Sequence, residues 1–399
     1  MDDQQVSNVQ QTLYVLGNGF DLAHKLPTRY SDFLLFLNVL AKYPKHASSN
    51  TARDKFNGDK DFTDLDSRLK EYLKKNWFTD QVSGPLKEIQ TQLKDPWVEG
   101  WFSYFKRNYL PKDVNKGWID FEKEIQHLVT SFVVTSLENP GHCIIKDLSF
   151  PDLFCKTDLK FYRVENDPLG QQYIIEPYEF FSSLYSGLKG FTYSFELYLS
   201  IINNLYFSGS GFINTNSYFY KLASNDPPDY ILSFNYMETF EKSYNHPAFG
   251  NISKIAIHHI HGKVRENPDS KEGCNLVLGF NDIQENALSA PNSICPPTIW
   301  FEKIFQRILN RTGTEIYHWL EQLNTKDHPL HTIFYGHSLD ITDRDVLLKI
   351  FNCSSHITIH YHSDEVYPQL IMNLIALLGK NCMEDMYNAQ IIEFKKISS

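Results

Sequence analysis

The stretch from Thr12 to Tyr30, TLYVLGNGFDLAHKLPTRY, constrains the fold of this chain more than any other. A short apolar run of β-type residues, Leu13-Tyr14-Val15-Leu16, ends at Gly17-Asn18-Gly19, and a helical pattern follows after Pro27. Those three pieces read as a strand, a tight loop and a helix. Glycine at Gly17 and Gly19 permits positive φ and leaves no Cβ between loop amides and a bound group, as a phosphate cradle requires. Taken alone, Gly-x-Gly is better explained as a tight turn closing a buried strand. It lacks the third glycine of a dinucleotide fingerprint and the Gly-Lys-Ser/Thr of a triphosphate loop.

Strand grammar resumes after Pro227-Pro228. Tyr230 to Phe234, Ile255 to His261, Leu276 to Leu278, Thr332 to Tyr335, Ile357 to Tyr361 and Ile391 to Phe394 are predicted strands, the last at an edge. Helices are predicted over Trp300 to Arg311, Thr314 to Asn324, Asp343 to Phe351 and Leu370 to Leu378. Strands that alternate with helices specify an α/β fold, a Rossmann-like and mainly parallel sheet covered on both faces.

Between the first strand and this region the periodicity is helical. Its stripes are Leu65, Leu69, Tyr72 and Leu73, then Val98, Trp101, Phe102 and Phe105, then Phe121, Ile125, Leu128 and Phe132, and later Phe180 to Leu205. Pro140, Gly141, Pro151, Pro168 and Gly170 interrupt it between Asn139 and Pro177, where a loop or small hairpin is expected. Aromatic content is high at 15%, and the aromatic stripe from Phe180 to Leu205 reads as helix-to-helix core. The organisation expected is residues 1–46 as the first part of the Rossmann-like domain, 47–225 as a mostly helical insertion, and 226–399 as the remainder.

A formal net charge of −10 argues against sequence-independent nucleic-acid binding, which rests on clustered Lys and Arg, so nucleic acid is not an expected partner. The first residues carry no basic and apolar leader, and the best apolar run, Leu370 to Leu378, is too short to span a bilayer. A cytoplasmic protein without a membrane partner is the expectation. The six cysteines are scattered with no Cys-x-x-Cys, which removes a zinc ribbon and any expectation of disulfides.

Ligands of open α/β sheets bind beyond the carboxyl ends of the strands. Four such ends carry small or polar groups: Gly17-Asn18-Gly19-Phe20-Asp21, Ser233-Phe234-Asn235-Tyr236, His259-Ile260-His261-Gly262 and Gly336-His337-Ser338-Leu339-Asp340. Each has a plainer explanation. A histidine bonded to backbone is commoner than a catalytic one, and Asp340, Asp343 and Asp345 could equally cap the helix that begins there. Asp120, Glu122 and Glu124 fit a solvated helix face, although Glu122 could point toward a cleft. His356, His360 and His362 share a strand face without an evident carboxylate or cysteine partner, so no metal site is expected.

In order, these strand ends resemble the sirtuin-like NAD-binding fold. More closely, LGNGFDLAHKLPTRYSDFL, WIDFEKEI at Trp118 to Ile125, SFNYMETFE, HIHGKV, LVLGFND and YGHSLDITDRD resemble the AbiH family of bacteriophage abortive-infection proteins. The resemblance implies a Rossmann-like core that holds NAD as substrate or ligand, with no resident cofactor, and that hydrolyses it between nicotinamide and ribose. Under it, Gly17, Asn18, Gly19, Phe20 and Asp21 face the pyrophosphate and nicotinamide ribose. Asn235, flanked by Ser233 and Tyr236, positions ribose or the attacking water, and His261, followed by Gly262, is the catalytic histidine. Gly336, His337, Ser338 and Asp340 surround the adenosine end. The chain departs from sirtuin deacetylases in lacking a cysteine-paired zinc lobe and in having Gly-Asn-Gly-Phe-Asp for Gly-Ala-Gly-x-Ser, so protein deacylation is not expected.

The chemistry is compatible with those roles. Glycosidic cleavage passes through an oxocarbenium-like state and needs oriented water, a proton acceptor and stabilisation of positive charge. An imidazole can take the proton, an asparagine can hold water or a hydroxyl without adding charge, and an inward Asp21 can stabilise the cation or hold ribose hydroxyls. The expected function is an anti-phage abortive-infection NAD+ hydrolase, answering a phage-derived trigger and compatible with a homo-oligomer. The alternative is a non-catalytic NAD or nucleotide sensor, or a regulatory subunit of a defence system. A nuclease using the acidic groups is the weakest option.

Overall fold

A computed structural model describes residues 10–43, 56–77, 84–109, 120–131, 143–145, 162–163, 173–175, 177–208, 216–244, 254–281, 297–323 and 329–397. The chain folds into two compact units. One comprises residues 1–26, 206–263 and 307–399, and the other 27–205 and 264–306.

The first unit is built on a six-stranded sheet. Its strands are β1 (Gln11–Leu16), β5 (Tyr230–Ser233), β6 (Ala256–His259), β7 (Leu330–Tyr335), β8 (His356–Tyr361) and β9 (Ile392–Lys396); β2 (Cys143–Ile145), β3 (Tyr162–Arg163) and β4 (Tyr173–Ile175) belong to the second unit. They lie in the order β6-β5-β1-β7-β8-β9, and every pairing is parallel. In chain order this is 3-2-1-4-5-6, the doubly wound arrangement whose direction of growth reverses beside the first strand. The mainly parallel sheet expected is therefore wholly parallel among the described strands, with β9 at an edge.

Both faces of the central strands are buried, which is why β1, β5 and β7 read as apolar runs. Leu13 and Val15 of β1 join Leu232, Phe334, Ile357 and Ile359 in a core closed by Val346, Ile350, Leu370 and Leu374. Tyr14 and Leu16 point the other way, to Ile231, Ile333, Tyr335, Phe219, Phe240 and Tyr244.

Beside β1 and β7 two loops touch backbone to backbone. The amide of Gly17 donates to the Tyr335 carbonyl at 3.1 Å, that of Gly19 to the Gly336 carbonyl at 2.9 Å, and that of Phe20 to the Gly17 carbonyl at 2.8 Å. A Cβ on Gly17 would lie 2.5 Å from Cα of His337, and one on Gly336 would lie 2.4 Å from the Phe20 nitrogen. Only Gly336 of the two has positive φ, +68°; Gly17 is extended at φ −108°. These glycines are required for the crossing of the loops rather than for left-handed backbone at Gly17.

Several elements differ from expectation. A helix begins at once after β1, over Asn18–Ala23, where a loop was expected. Leu276 to Leu278 form no strand: the side-chain amide of Gln306 takes both backbone groups of Leu278, accepting at 2.9 Å and donating at 3.0 Å. The expected helix from Trp300 divides into a 3-10 turn over Pro297–Phe301 and an α-helix over Lys303–Asn310. Lys380–Asn388 is an unexpected helix, invisible as a stripe because only Met383 of it is buried. Among the described residues no helix is long and apolar enough to cross a membrane.

The second unit is mainly helical. Its long helix, Pro177–Phe207, has 31 residues, and Phe191, Phe195 and Tyr198 of it meet Phe33 and Phe36 of the helix Tyr30–Lys42. Stacking continues through Phe105 and Phe121 at 4.1 Å and Phe121 and Tyr30 at 4.3 Å. Glu196, fully buried in the long helix, takes a bidentate pair from Arg265 at 2.8 and 2.8 Å and the Arg265 amide at 3.2 Å. Between Asn139 and Pro177 the described pieces are β2 (Cys143–Ile145), β3 (Tyr162–Arg163) and β4 (Tyr173–Ile175), an antiparallel sheet ordered β2-β4-β3 where a loop or hairpin was expected. Phe132 and most of the polar stretch after Ala47 lie outside the described residues.

Two stability outcomes follow. Gly336→Ala adds backbone strain and a clash with Gly19 and Phe20, and should cost about 3 kcal/mol or more. Gly379→Ala, at φ +83° with open space around it, carries strain alone and should cost about 1 kcal/mol. Equal losses in urea unfolding would remove the crossing as the reason for Gly336. Glu196→Ala leaves the Arg265 guanidinium without its main partner and should cost about 3–5 kcal/mol by the same measurement.

Candidate functional site

Doubly wound sheets present their ligand crevice where the strand order reverses, here beyond the carboxyl ends of β1 and β7. The strand-end segments of β5 and β6 lie beside it, and together these four carry the polar side chains of the first unit that have the least ordinary surroundings.

Asp21, on the short helix after β1, is 1% exposed, and its Oδ1 has no hydrogen-bond partner among the described residues. Burial pushes its pKa from 3.8 up to about 7. Thr239, His259 and Asn235 pull it down less strongly, and the Glu241 carboxylate adds to the rise. Asn235, 4% exposed, follows β5 in a turn fixed by Ser233, whose Oγ accepts the Asn235 amide at 3.2 Å. The Asn235 carbonyl accepts from Nδ1 of His259 at 3.0 Å, while its side-chain Oδ1 is buried without a hydrogen-bond partner among the described residues. His259 Nε2 contacts Glu241 at 2.8 Å.

A second group forms around Asp343. Its Oδ1 lies 3.1 Å from Nε2 of His261 and its Oδ2 lies 3.9 Å from Nε2 of His337, all three residues being buried. The ring of Phe234 stands edge-on to both imidazoles, with centroids 5.3 and 4.3 Å away. His337 accepts the Leu339 amide on Nδ1 at 2.9 Å, and Leu339 has φ +56°, a conformation an L-residue holds only when its surroundings impose it. Tyr236 places its ring 6.4 Å from that of His261, and Gly262 turns the chain after it at φ +77°.

Other candidate residues do different work. Phe20 is a core side chain packed on Phe219 at 4.7 Å, and its amide and that of Gly19 are engaged within the protein. Asn18 opens the short helix and is half-buried. Asp340 caps the 3-10 turn by accepting the Thr342 amide at 3.1 Å, and the Ser338 carbonyl accepts from Asn373 at 2.8 Å. Of the three acidic residues there, Asp340 is the cap, Asp345 pairs with Arg307 at 2.8 Å, and Asp343 turns to the histidines. Glu122, in the second unit, pairs with the buried Lys303 at 2.6 Å. Asp343, Glu241 and Thr239 were not singled out as site residues from sequence. The available signals were their place shortly beyond a polar strand end and their inclusion in the stretches SFNYMETFE and YGHSLDITDRD.

The raised pKa of Asp21 fixes a pH dependence. The folded state holds its proton more tightly than the unfolded chain, so this contribution to stability is full below about pH 4 and is lost as pH rises through about 7. Asp21→Asn removes it, and the variant should gain on wild type by a few kcal/mol across that window, at about 1.4 kcal/mol per pH unit. Denaturant midpoints measured over that pH range check this; a constant difference between the two proteins would mean that Asp21 is not held protonated.

Compared with characterised proteins and with solved structures, the chain has no match. Among protein families, the model described as Bacteriophage abortive infection AbiH matches residues 13–362, from β1 to the end of β8. With most of its length covered, the chain belongs to the AbiH family.

Proposed function

We propose that this protein acts in abortive phage infection by hydrolysing NAD+ to nicotinamide and ADP-ribose once infection is sensed. The abortive-infection role is what the family's description supports. The NAD+ chemistry is supported by one observation above all. Asp21, Asn235 and His261 come from three separate strand ends beside the point where the sheet order reverses, two of them with buried side-chain oxygens that lack hydrogen-bond partners among the described residues. Buried polar atoms left so are uncommon and point to a bound group.

In this reading water attacks the anomeric carbon of the nicotinamide ribose as the bond to nicotinamide breaks, its electron pair leaving with the ring nitrogen. His261 accepts the proton of the water, and the Asp343 carboxylate stabilises the imidazolium that forms. Asn235 Oδ1 accepts from the water or a ribose hydroxyl. Ionised Asp21 opposes the positive charge on the ribose, so turnover should rise as pH climbs through about 7. The pyrophosphate is held by groups other than the Gly19 and Phe20 amides, since both are already bonded. His261, Asn235 and Asp21 are nearly inaccessible, which fits a protein inactive until a trigger opens the strand-end loops.

Mass spectrometry of NAD+, nicotinamide and ADP-ribose tests this, with purified protein and in cells during phage challenge. His261→Ala and Asn235→Ala should abolish product, and Asp343→Asn should lower the rate roughly 10²–10⁴-fold. Retained turnover in the first two would overturn the assignment. Unchanged NAD+ in both settings, with a melting temperature raised by added NAD+, would instead identify a nucleotide sensor.

A further inference from the structure

His259 is the last residue of β6, and its neighbour His258 faces away from it, with Nε2 donating to the Thr312 carbonyl at 2.5 Å. Nδ1 of His259 is 3.0 Å from the Asn235 carbonyl and Nε2 is 2.8 Å from Glu241 Oε1. A backbone carbonyl and a carboxylate both accept hydrogen bonds, and neither can donate one. A neutral imidazole carries one N–H and could serve only one of them. Both contacts together require a ring with two protons.

We propose that His259 is an imidazolium at neutral pH and a positioning residue, which clamps the Asn235 turn by its carbonyl while Glu241 serves as counter-ion. The functional part of this inference rests on the reading of Asn235 as the residue that orients water or ribose. Ser233 holds the amide of Asn235 and His259 holds its carbonyl, so the peptide group on either side of the side chain is fixed. The direction of the Asn235 carboxamide is thereby tied to a proton on a residue that need not touch the substrate.

The charged groups around His259 come from each neighbouring element: Glu241 on the helix Thr239–Ser243, Asp21 on Asn18–Ala23 and Lys263 after β6; His258, next to it on the strand, points the other way, and burial lowers its pKa. Burial lowers the pKa of His259, but the Glu241 carboxylate and the Asn235 carbonyl outweigh it and leave the pKa raised above 6.5, with Lys263 opposing them. When pH passes through that raised value one proton leaves. The carbonyl is the weaker acceptor, so the carboxylate keeps the remaining N–H and the Asn235 carbonyl loses its imidazole donor, keeping only the longer bond from the Ser233 hydroxyl at 3.4 Å.

Ring-nitrogen NMR on the full chain, with His259 assigned by loss of its signals in His259→Gln, tests the protonation directly. Two protonated nitrogens at pH 7, titrating above 6.5, are expected; one protonated and one bare nitrogen at pH 7 would overturn the proposal. The Asn235 amide resonance should titrate with the same midpoint, and both should fall together by about one pH unit, roughly tenfold in proton affinity, in Glu241→Gln. An Asn235 amide indifferent to the His259 titration would overturn the clamp. Where NAD+ is cleaved, the alkaline limb of its rate should move with that midpoint in Glu241→Gln, and a limb that stays in place would also overturn the clamp. Absence of NAD+ cleavage would count against the proposed reaction alone, because the resonances report on His259 and Asn235 without it.

Discussion

The contact between the loops that follow β1 and β7 is the constraint on which the first unit depends. Parallel strands that diverge from a central pair leave a gap at their carboxyl ends. In this protein the gap is partly closed by main chain: Gly19 donates to Gly336, and Gly17 lies against His337 with no room for a Cβ. Because those amides bond one another, they position what comes after them. Gly17 and Gly19 deliver Asp21 to its buried place, and Gly336 starts the turn in which His337 accepts the Leu339 amide and Asp340 caps the 3-10 turn leading to Asp343.

The loop contact also explains which parts of the structure could be read from the sequence. Strands β1, β5, β7 and β8 were legible because both of their faces are buried, giving apolar runs closed by glycine or a polar pair. Leu276 to Leu278 has the same signature, but its burial says nothing of where its backbone bonds go, and a glutamine rather than a strand satisfies them. The helix at Asn18 was missed because Asn and Gly favour turns locally, and a six-residue helix depends on its neighbours. Asp21, Asn235 and His261 were legible as polar residues just past strands. Asp343 was not, because a carboxylate at the start of a helix reads as a cap until the histidines it faces are known.

Buried charge is treated differently in the two units. In the second, Glu196 and Arg265 satisfy one another with paired bonds, and Lys303 meets Glu122; these are structural ion pairs whose cost of desolvation is offset by good geometry. In the first, Asp21 is as deeply buried, yet among the described residues it forms no ion pair, and one of its oxygens and that of Asn235 lack a hydrogen bond there. Folding alone gives no reason to keep such an arrangement. Departures of this kind concentrate where a fold gives up stability to hold a reactive group.

The histidines near these strand ends make the same distinction at the level of single protons. His24 donates from Nδ1 to the Phe20 carbonyl and meets at Nε2 the Tyr244 hydroxyl, which can donate to it, so its partners allow a neutral ring, and burial lowers its pKa. His337 accepts a backbone amide on Nδ1, which excludes a proton there. His259 faces two acceptors and is charged. His261 differs from all three: Nε2 lies 3.1 Å from Asp343, in ion-pair range but without the alignment of a hydrogen bond. In the proposed reaction this contact is what lets the Asp343 carboxylate stabilise the imidazolium formed when His261 takes the proton of the water, a part that the other three rings, each held by the partners named, are not asked to play.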